Sequence, residues 1–224
     1  MPYSDINTFF LKKSLLLGIL FLILFFAFPV GGAIDMYFIQ PWIDSTGHFP
    51  LKNNWFLIEI NHKLLKHIVI TFYIAVLISW IASFKVEKLK TYQWQLGYLF
   101  FISVLSTALI GIFKSHSAHA CPWSMTEQTA LGYVWDFSAS NGGCFPGGHA
   151  STGFSLLTGF FVFRKSNSKI AYLFLVLGLA LGLITGWGQM MRGAHFLSHN
   201  LWTGWIIFTF NLIVYRIFYK KLTR

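Results

Sequence analysis

Long apolar runs separated by short polar stretches organise this chain. A helix needs about 20 apolar residues to cross a hydrocarbon core about 30 Å thick. Runs of that kind fall at Leu15–Asp35, Leu65–Phe84, Tyr92–Phe113, His149–Phe163, Ile170–Trp187 and Leu201–Ile217. The pattern predicts an all-α, polytopic membrane protein, a six-transmembrane-helix bundle. The fourth run is the shortest and carries Gly, Ser and Thr, so by itself it also fits a buried helix of a soluble domain. Its place in the alternating series assigns it as a span. No internal repeat or low-complexity linker is visible, and residues 1–224 read as a single domain.

Between the first two runs, residues 36–64 place Pro41, Trp42, Phe49, Trp55 and Phe56 among polar residues. Aromatic rings favour the headgroup layer, so this segment reads as an interfacial hairpin or amphipathic helix on the outer side. Gly31-Gly32-Ala33 could end a cleaved signal peptide, but the apolar run before it is longer than a signal core, and an uncleaved first span keeps the alternation.

Composition supports the membrane reading. The chain is 55% hydrophobic and 11% charged, against about 25% charged in an ordinary soluble domain. Disorder and a disulfide-dense scaffold are excluded by the same figures. The net charge of +10 would suggest nucleic acid in a soluble protein. Here the basic residues fall in alternate loops with no continuous basic face, so no nucleic-acid partner is expected. Lys12, Lys13, Lys85, Lys88, Lys90, Arg164, Lys165, Lys169, Arg216, Lys220, Lys221 and Arg224 lie on one side; Lys52, Lys63, Lys66, Lys114 and Arg192 lie on the other. Twelve against five predicts that both termini are cytoplasmic.

On the outward side, polar residues gather in three stretches: Lys114-Ser-His-Ser-Ala-His-Ala-Cys-Pro122, Cys144-Phe-Pro-Gly-Gly-His-Ala-Ser151 and Gly188-Gln-Met-Met-Arg-Gly-Ala-His-Phe-Leu-Ser-His199. Each ends a predicted span, so the three can converge in an outward-facing active site. Five of the eight histidines are here, and histidine serves as nucleophile, proton donor or metal ligand near neutral pH. Gly147 and Gly148 let backbone N–H groups approach an anion, and Lys114 and Arg192 add fixed positive charge. Taken singly, Gly-Gly is a helix-packing contact and Lys114 a snorkelling lysine. Together at one membrane face they favour a phosphate site.

The spacing resembles the signature of the type 2 phosphatidic acid phosphatase family, in the haloperoxidase-like superfamily, whose members include lipid phosphatases of bacterial inner membranes. That signature is Lys-x6-Arg-Pro, then Pro-Ser-Gly-His, then Ser-Arg-x5-His-x3-Asp. Lys114 and Pro122 keep the first spacing, with Cys121 where Arg is expected; Pro146, Gly148 and His149 keep the second, with Gly147 for Ser. In the third, Gly193-Ala194-His195 is retained, Gly188 and Gln189 replace Ser-Arg, and His199 replaces Asp. The resemblance, to a divergent member, covers residues 114–199 and the span layout.

The resemblance implies that His195 attacks phosphorus to form a phosphohistidine, that His149 protonates the leaving oxygen, and that no metal or cofactor is needed. It also implies a phosphorylated membrane lipid as substrate, at the periplasmic face of a bacterial inner membrane. Arg192, near Gln189 on the same helix face, would replace a missing arginine. His199, Glu127 or Asp136 would replace the carboxylate that orients the nucleophile.

Cys121 and Cys144, the only cysteines, flank these motifs on the outer side. In an oxidising compartment such a pair favours a disulfide, worth about 3 kcal/mol for a loop of this length. Two buried thiols are the alternative. Three other functions are weighed. One is a phosphotransferase of the same family. Another is a zinc protein using His149, His195 and His199, which Lys114 and Arg192 disfavour. The third is a transporter or non-catalytic scaffold. Against that one, the main mid-span polar groups are Ser103, Ser106, Thr107, Ser155, Thr158 and Thr185, none ionisable.

Overall fold

The computed structural model describes residues 3–140 and 142–222. Nine α-helices run through these residues: α1 Tyr3–Ala27, α2 Ala33–Ile39, α3 Leu65–Ala82, α4 Glu87–Lys90, α5 Gln93–Ser115, α6 Gly148–Phe154, α7 Leu157–Phe163, α8 Ser168–Met191 and α9 Leu197–Leu222. A π-helical segment, Phe56–Leu64, runs into α3 without a break.

Five stretches are long and apolar enough to cross a membrane: Ile6–Ala27, Phe56–Ala82, Gln93–Ser115, Ser168–Met191 and Leu197–Leu222. The predicted fourth span is not among them. It is split at Ser155 and Leu156 into α6 and α7, of seven residues each. The Ser155 hydroxyl donates back to the Thr152 carbonyl at 2.7 Å, a local bond that competes with regular helix. The pair packs against α5, α8 and α9, and all of α7 but the partly buried Phe163 is buried. It is therefore the core of the bundle, with protein rather than lipid as its surroundings. Small residues permit this close approach: a Cβ on Gly153 would strike the backbone of Leu181 and Gly182, and one on Gly182 the ring of Phe154.

Two other boundaries differ from expectation. The first span ends at Ala27, and Asp35 lies beyond a turn at Gly31 (φ +71°), within α2. The second begins at Phe56 rather than Leu65, which carries His62 to the top of the bundle. Residues 36–64 otherwise form α2, a 3₁₀ turn at Gln40–Trp42 and a loop held by Asp44, whose Oδ1 accepts from Thr46 N and His48 N. A short antiparallel hairpin, β1 Thr126–Thr129 and β2 Gly132–Trp135, completes the outer cap, pairing Thr126 with Trp135 and Thr129 with Gly132. The fold is thus mostly helical rather than wholly so. Ile39, Phe49, Ala120, Met125, Met190 and Phe196 form the small core of this cap.

At the opposite end of the bundle, Arg164 lies over the Phe9 ring, 3.3 Å from its centroid, and Arg216 donates to Asn7 Oδ1 at 2.9 Å. The basic ends of α1, α7 and α9 therefore sit together, away from the three polar stretches.

Candidate active site

Helix α8 ends in a Schellman turn: Gly193 N–H donates to Met190 O and Ala194 N–H to Gln189 O, both at 2.9 Å. Only glycine suits position 193, where φ is +74° and the Phe49 ring fills the space of a Cβ. The turn delivers His195 into the gap before α9. The start of α9 is fixed by Asp35, which is 1% exposed. Its carboxylate accepts from Ser198 N at 2.8 Å, Ser198 Oγ at 2.5 Å and Gly31 N at 2.9 Å. Burial raises its pKa above the ordinary carboxylate range, against the pull of those donors.

His195, 1% exposed, meets His149 at its Nε2: the distance to His149 Nδ1 is 3.2 Å. Its other nitrogen, Nδ1, lies 2.9 Å from the Cys144 carbonyl oxygen. A carbonyl only accepts, so Nδ1 carries the hydrogen, Nε2 carries the lone pair, and His149 Nδ1–H donates to it. Burial, first, and the neighbouring His199 and His149 push the His195 pKa well below that of a free imidazole, so the ring is neutral.

His199 stands 3.5 Å from His195, Nδ1 to Nδ1, boxed by the rings of Phe145 and Phe196. Its Nε2 has no partner among the described residues. The three imidazoles thus form a row, with His195 offering a different edge to each neighbour. They do not surround a point, and among the described residues no group of three or more His, Cys, Asp or Glu is arranged to hold a metal ion.

A cavity of about 250 Å³ opens in front of His149. Its polar lining is His62, Lys66, Lys114, His149, Thr152, Thr185 and Gln189, with Leu65, Val69 and Leu181 on the apolar side. Gly148 lets the half-buried Lys114 side chain lie across it, since a Cβ there would be 3.3 Å from Lys114 Cδ. Among the described residues no carboxylate lines this space. His195 is behind His149 rather than on the wall. Arg192 is also off the wall: its Nε donates to Lys52 O at 2.8 Å and its Nη1 to Gln189 Oε1 at 3.0 Å. This bond holds the buried Gln189 amide at the cavity, where its Nε2 has no partner among the described residues. Gly147 gives its N–H to the His199 carbonyl at 3.0 Å, so that donor faces α9.

The structure joins Cys121 to Cys144 in a disulfide, with Cα atoms 5.1 Å apart. Glu127 is exposed on the hairpin, and the Asp136 carboxylate accepts from Ser138 N and Oγ. Neither reaches His195. Sequence reasoning missed His62, whose ring centre is 4.4 Å from that of His149, and Lys66 one turn on. The signal available for both was their place at the head of an apolar run.

Fold and site together define a helical membrane protein with a lysine-lined cavity beside a histidine pair. A family model described as the PAP2 superfamily matches residues 95–223. The chain belongs to that superfamily, and membership points to phosphatase or phosphoesterase activity. Neither curated proteins nor solved structures gave a match.

Proposed function

We propose that this protein is a metal-independent phosphatase. It hydrolyses a phosphate ester or pyrophosphate of a membrane lipid at the outer, periplasmic face of a bacterial inner membrane. The observation that carries this reading is the 3.2 Å contact of His149 Nδ1 with His195 Nε2 beside a cation-lined cavity. In the reaction, the substrate phosphate enters the cavity against Lys114, Lys66 and the Gln189 amide, and displaces His149 from the His195 lone pair. Nε2 attacks phosphorus, the bond from phosphorus to the lipid oxygen breaks, and His149, protonated, gives its proton to that oxygen. Neutral His149 then takes a proton from water. The hydroxide attacks phosphorus, the P–N bond breaks, and inorganic phosphate leaves with His195 restored.

Several features support a lipid substrate: the apolar wall of Leu65, Val69 and Leu181, and the cavity's place at the head of membrane-length helices. The site lies at the end away from the basic termini, which supports the outward assignment. Transfer to a second lipid in place of water would use the same first step.

The test is phosphate release from purified phospholipids, undecaprenyl phosphates and lipid A by wild type, His195→Ala and His149→Ala. Wild type turns over at least one substrate, and His195→Ala is inactive while still folded in the membrane. Full turnover by that variant would end the mechanism. EDTA should leave the rate unchanged, whereas zinc-restored activity would favour a metalloenzyme.

A further inference from the structure

We propose that the Cys121–Cys144 disulfide is a positioning element of the reaction, holding the Cys144 carbonyl against His195 Nδ1 so that His195 Nε2 is presented as the nucleophile. This rests on the reading of His195 as nucleophile given above. It assigns to a backbone carbonyl the orienting task for which His199, Glu127 and Asp136 were the candidates in the sequence.

Distances and partners favour the carbonyl. Cys144 O is 2.9 Å from His195 Nδ1, whereas His199 Nδ1 is at 3.5 Å and shares its wall with aromatic rings. Only one group can take the single Nδ1 hydrogen, and the carbonyl is the nearer and the obligate acceptor.

What holds that carbonyl is a closed circuit of contacts. Residues Ser117 and His119 accept from Gly143 N at 2.8 Å and Cys144 N at 3.0 Å, pairing the two segments alongside each other. The disulfide then locks Cys144 to Cys121. Two residues past Cys121, Trp123 N–H donates to Gly193 O at 2.9 Å, two residues before His195. The circuit therefore fixes the acceptor and the backbone of the nucleophile against each other. Gly142 and Gly143, at φ +64° and +76°, adjoin Cys144, so without the covalent tie the segment carrying the carbonyl has a large range of backbone conformations to relax into. An imidazole that loses its Nδ1 acceptor can exchange tautomers and rotate, and a misplaced nucleophile is costly in rate even where binding survives.

The test uses the full chain in nanodiscs, oxidised. Cys121→Ser/Cys144→Ser should lower kcat about 100-fold with KM within about threefold. Adding His199→Asp puts a carboxylate one helical turn from His195 and should recover at least about tenfold of that loss. It should do so without recovering the unfolding midpoint lost with the disulfide. A cysteine-free protein with full kcat overturns the proposal, as does a rescue that merely follows stability. Independently of turnover, ¹⁵N-histidine spectra, assigned with His195→Gln, should show His195 as the Nδ1–H tautomer in the oxidised protein and a tautomer mixture in the cysteine-free one. An Nε2–H tautomer in the oxidised protein refutes it outright. If wild type and His195→Ala release phosphate equally, the phosphatase reading falls, and the spectra alone decide the positioning.

Discussion

Replacing Gly147 with Ser restores the family residue at that position, and the structure says it should harm this protein. A Cβ on residue 147 would collide with Asn200 Oδ1 and lie 3.4 Å from the His199 carbonyl carbon. Asn200 cannot readily step aside. Its Nδ2 donates to Gly186 O and Phe196 O, each at 3.2 Å, and a Cβ on Gly186 would be only 2.7 Å from its Cγ. Overpacking of this kind costs about 1–3 kcal/mol. Displacing the amide adds about 1 kcal/mol for each hydrogen bond lost. Gly147→Ser should therefore destabilise by about 2–5 kcal/mol, according to whether one or both of these bonds are lost. Asn200→Ala alone should cost about 1–2 kcal/mol, since the two carbonyls it frees lie within helices or their ends. If the two side chains compete for one space, the double variant should be less destabilised than the sum by about 1–2 kcal/mol. Equilibrium unfolding of all four proteins in mixed micelles measures the cycle. Additivity to within about 0.5 kcal/mol would show that Asn200 does not exclude a side chain at 147.

Other expectations follow from single contacts. Arg192→Gln should raise KM about tenfold, about 1.4 kcal/mol of substrate binding, by releasing the Gln189 amide. Gln189→Leu should do the same, and the pair together should be little worse than either; independent, multiplying effects in steady-state kinetics would contradict this. Asp35→Asn should cost about 1–3 kcal/mol in thermal or denaturant unfolding, because whichever way the amide turns its NH2 faces a backbone N–H, that of Gly31 or that of Ser198, which then loses its acceptor. Unchanged stability would remove Asp35 as the anchor of α9. Because burial depresses the His195 pKa, this residue contributes stability above about pH 6.5, the unfolded value, and that contribution is lost as pH falls through it towards the folded pKa. Unfolding midpoints measured from pH 7.5 to 5 should fall less steeply in His195→Gln than in wild type. An identical slope would mean that His195 is not held neutral by the fold.

The three polar stretches were legible because each adjoins an apolar run at the same end of the alternating series, and chain connectivity leaves such ends little choice but to meet. The membrane class was legible for the same reason: run length is a backbone property. What stayed hidden depends on contacts distant in sequence. Asp35 meets Ser198 across 163 residues, and within an apolar run it read as the last residue of a span. His62 lies in a π-helical segment, off the regular helical period by which faces are read from sequence, and its ring centre is 4.4 Å from that of His149. The fourth run reads as a span from its place in the alternating series, and a mainly apolar helix buried within protein fits the same run equally well. The departures from the family signature held one usable signal. Gly147 and Gly188 both stand where Ser is expected, and both prove to lie where a neighbouring Asn, 200 or 61, fills the missing side chain's space.

The arrangement of His149 and His195 carries a consequence for how substrate is selected. The lone pair that would attack phosphorus is engaged by His149, and His195 has no surface on the cavity. Water that enters the cavity therefore meets His149 first. On the proposed mechanism, a phosphate strong enough as an acceptor to draw His149 away, and charged enough to be held by Lys114 and Lys66, would uncover the nucleophile as it arrives. The His62 ring, packed edge to face against His149 at 4.4 Å, stands beside the imidazole that must turn. His62→Ala should loosen His149 and weaken the discrimination between anionic substrates and neutral esters, seen as a smaller ratio of kcat/KM values. An unchanged ratio would mean that the capping contact is a resting pose with no part in selection.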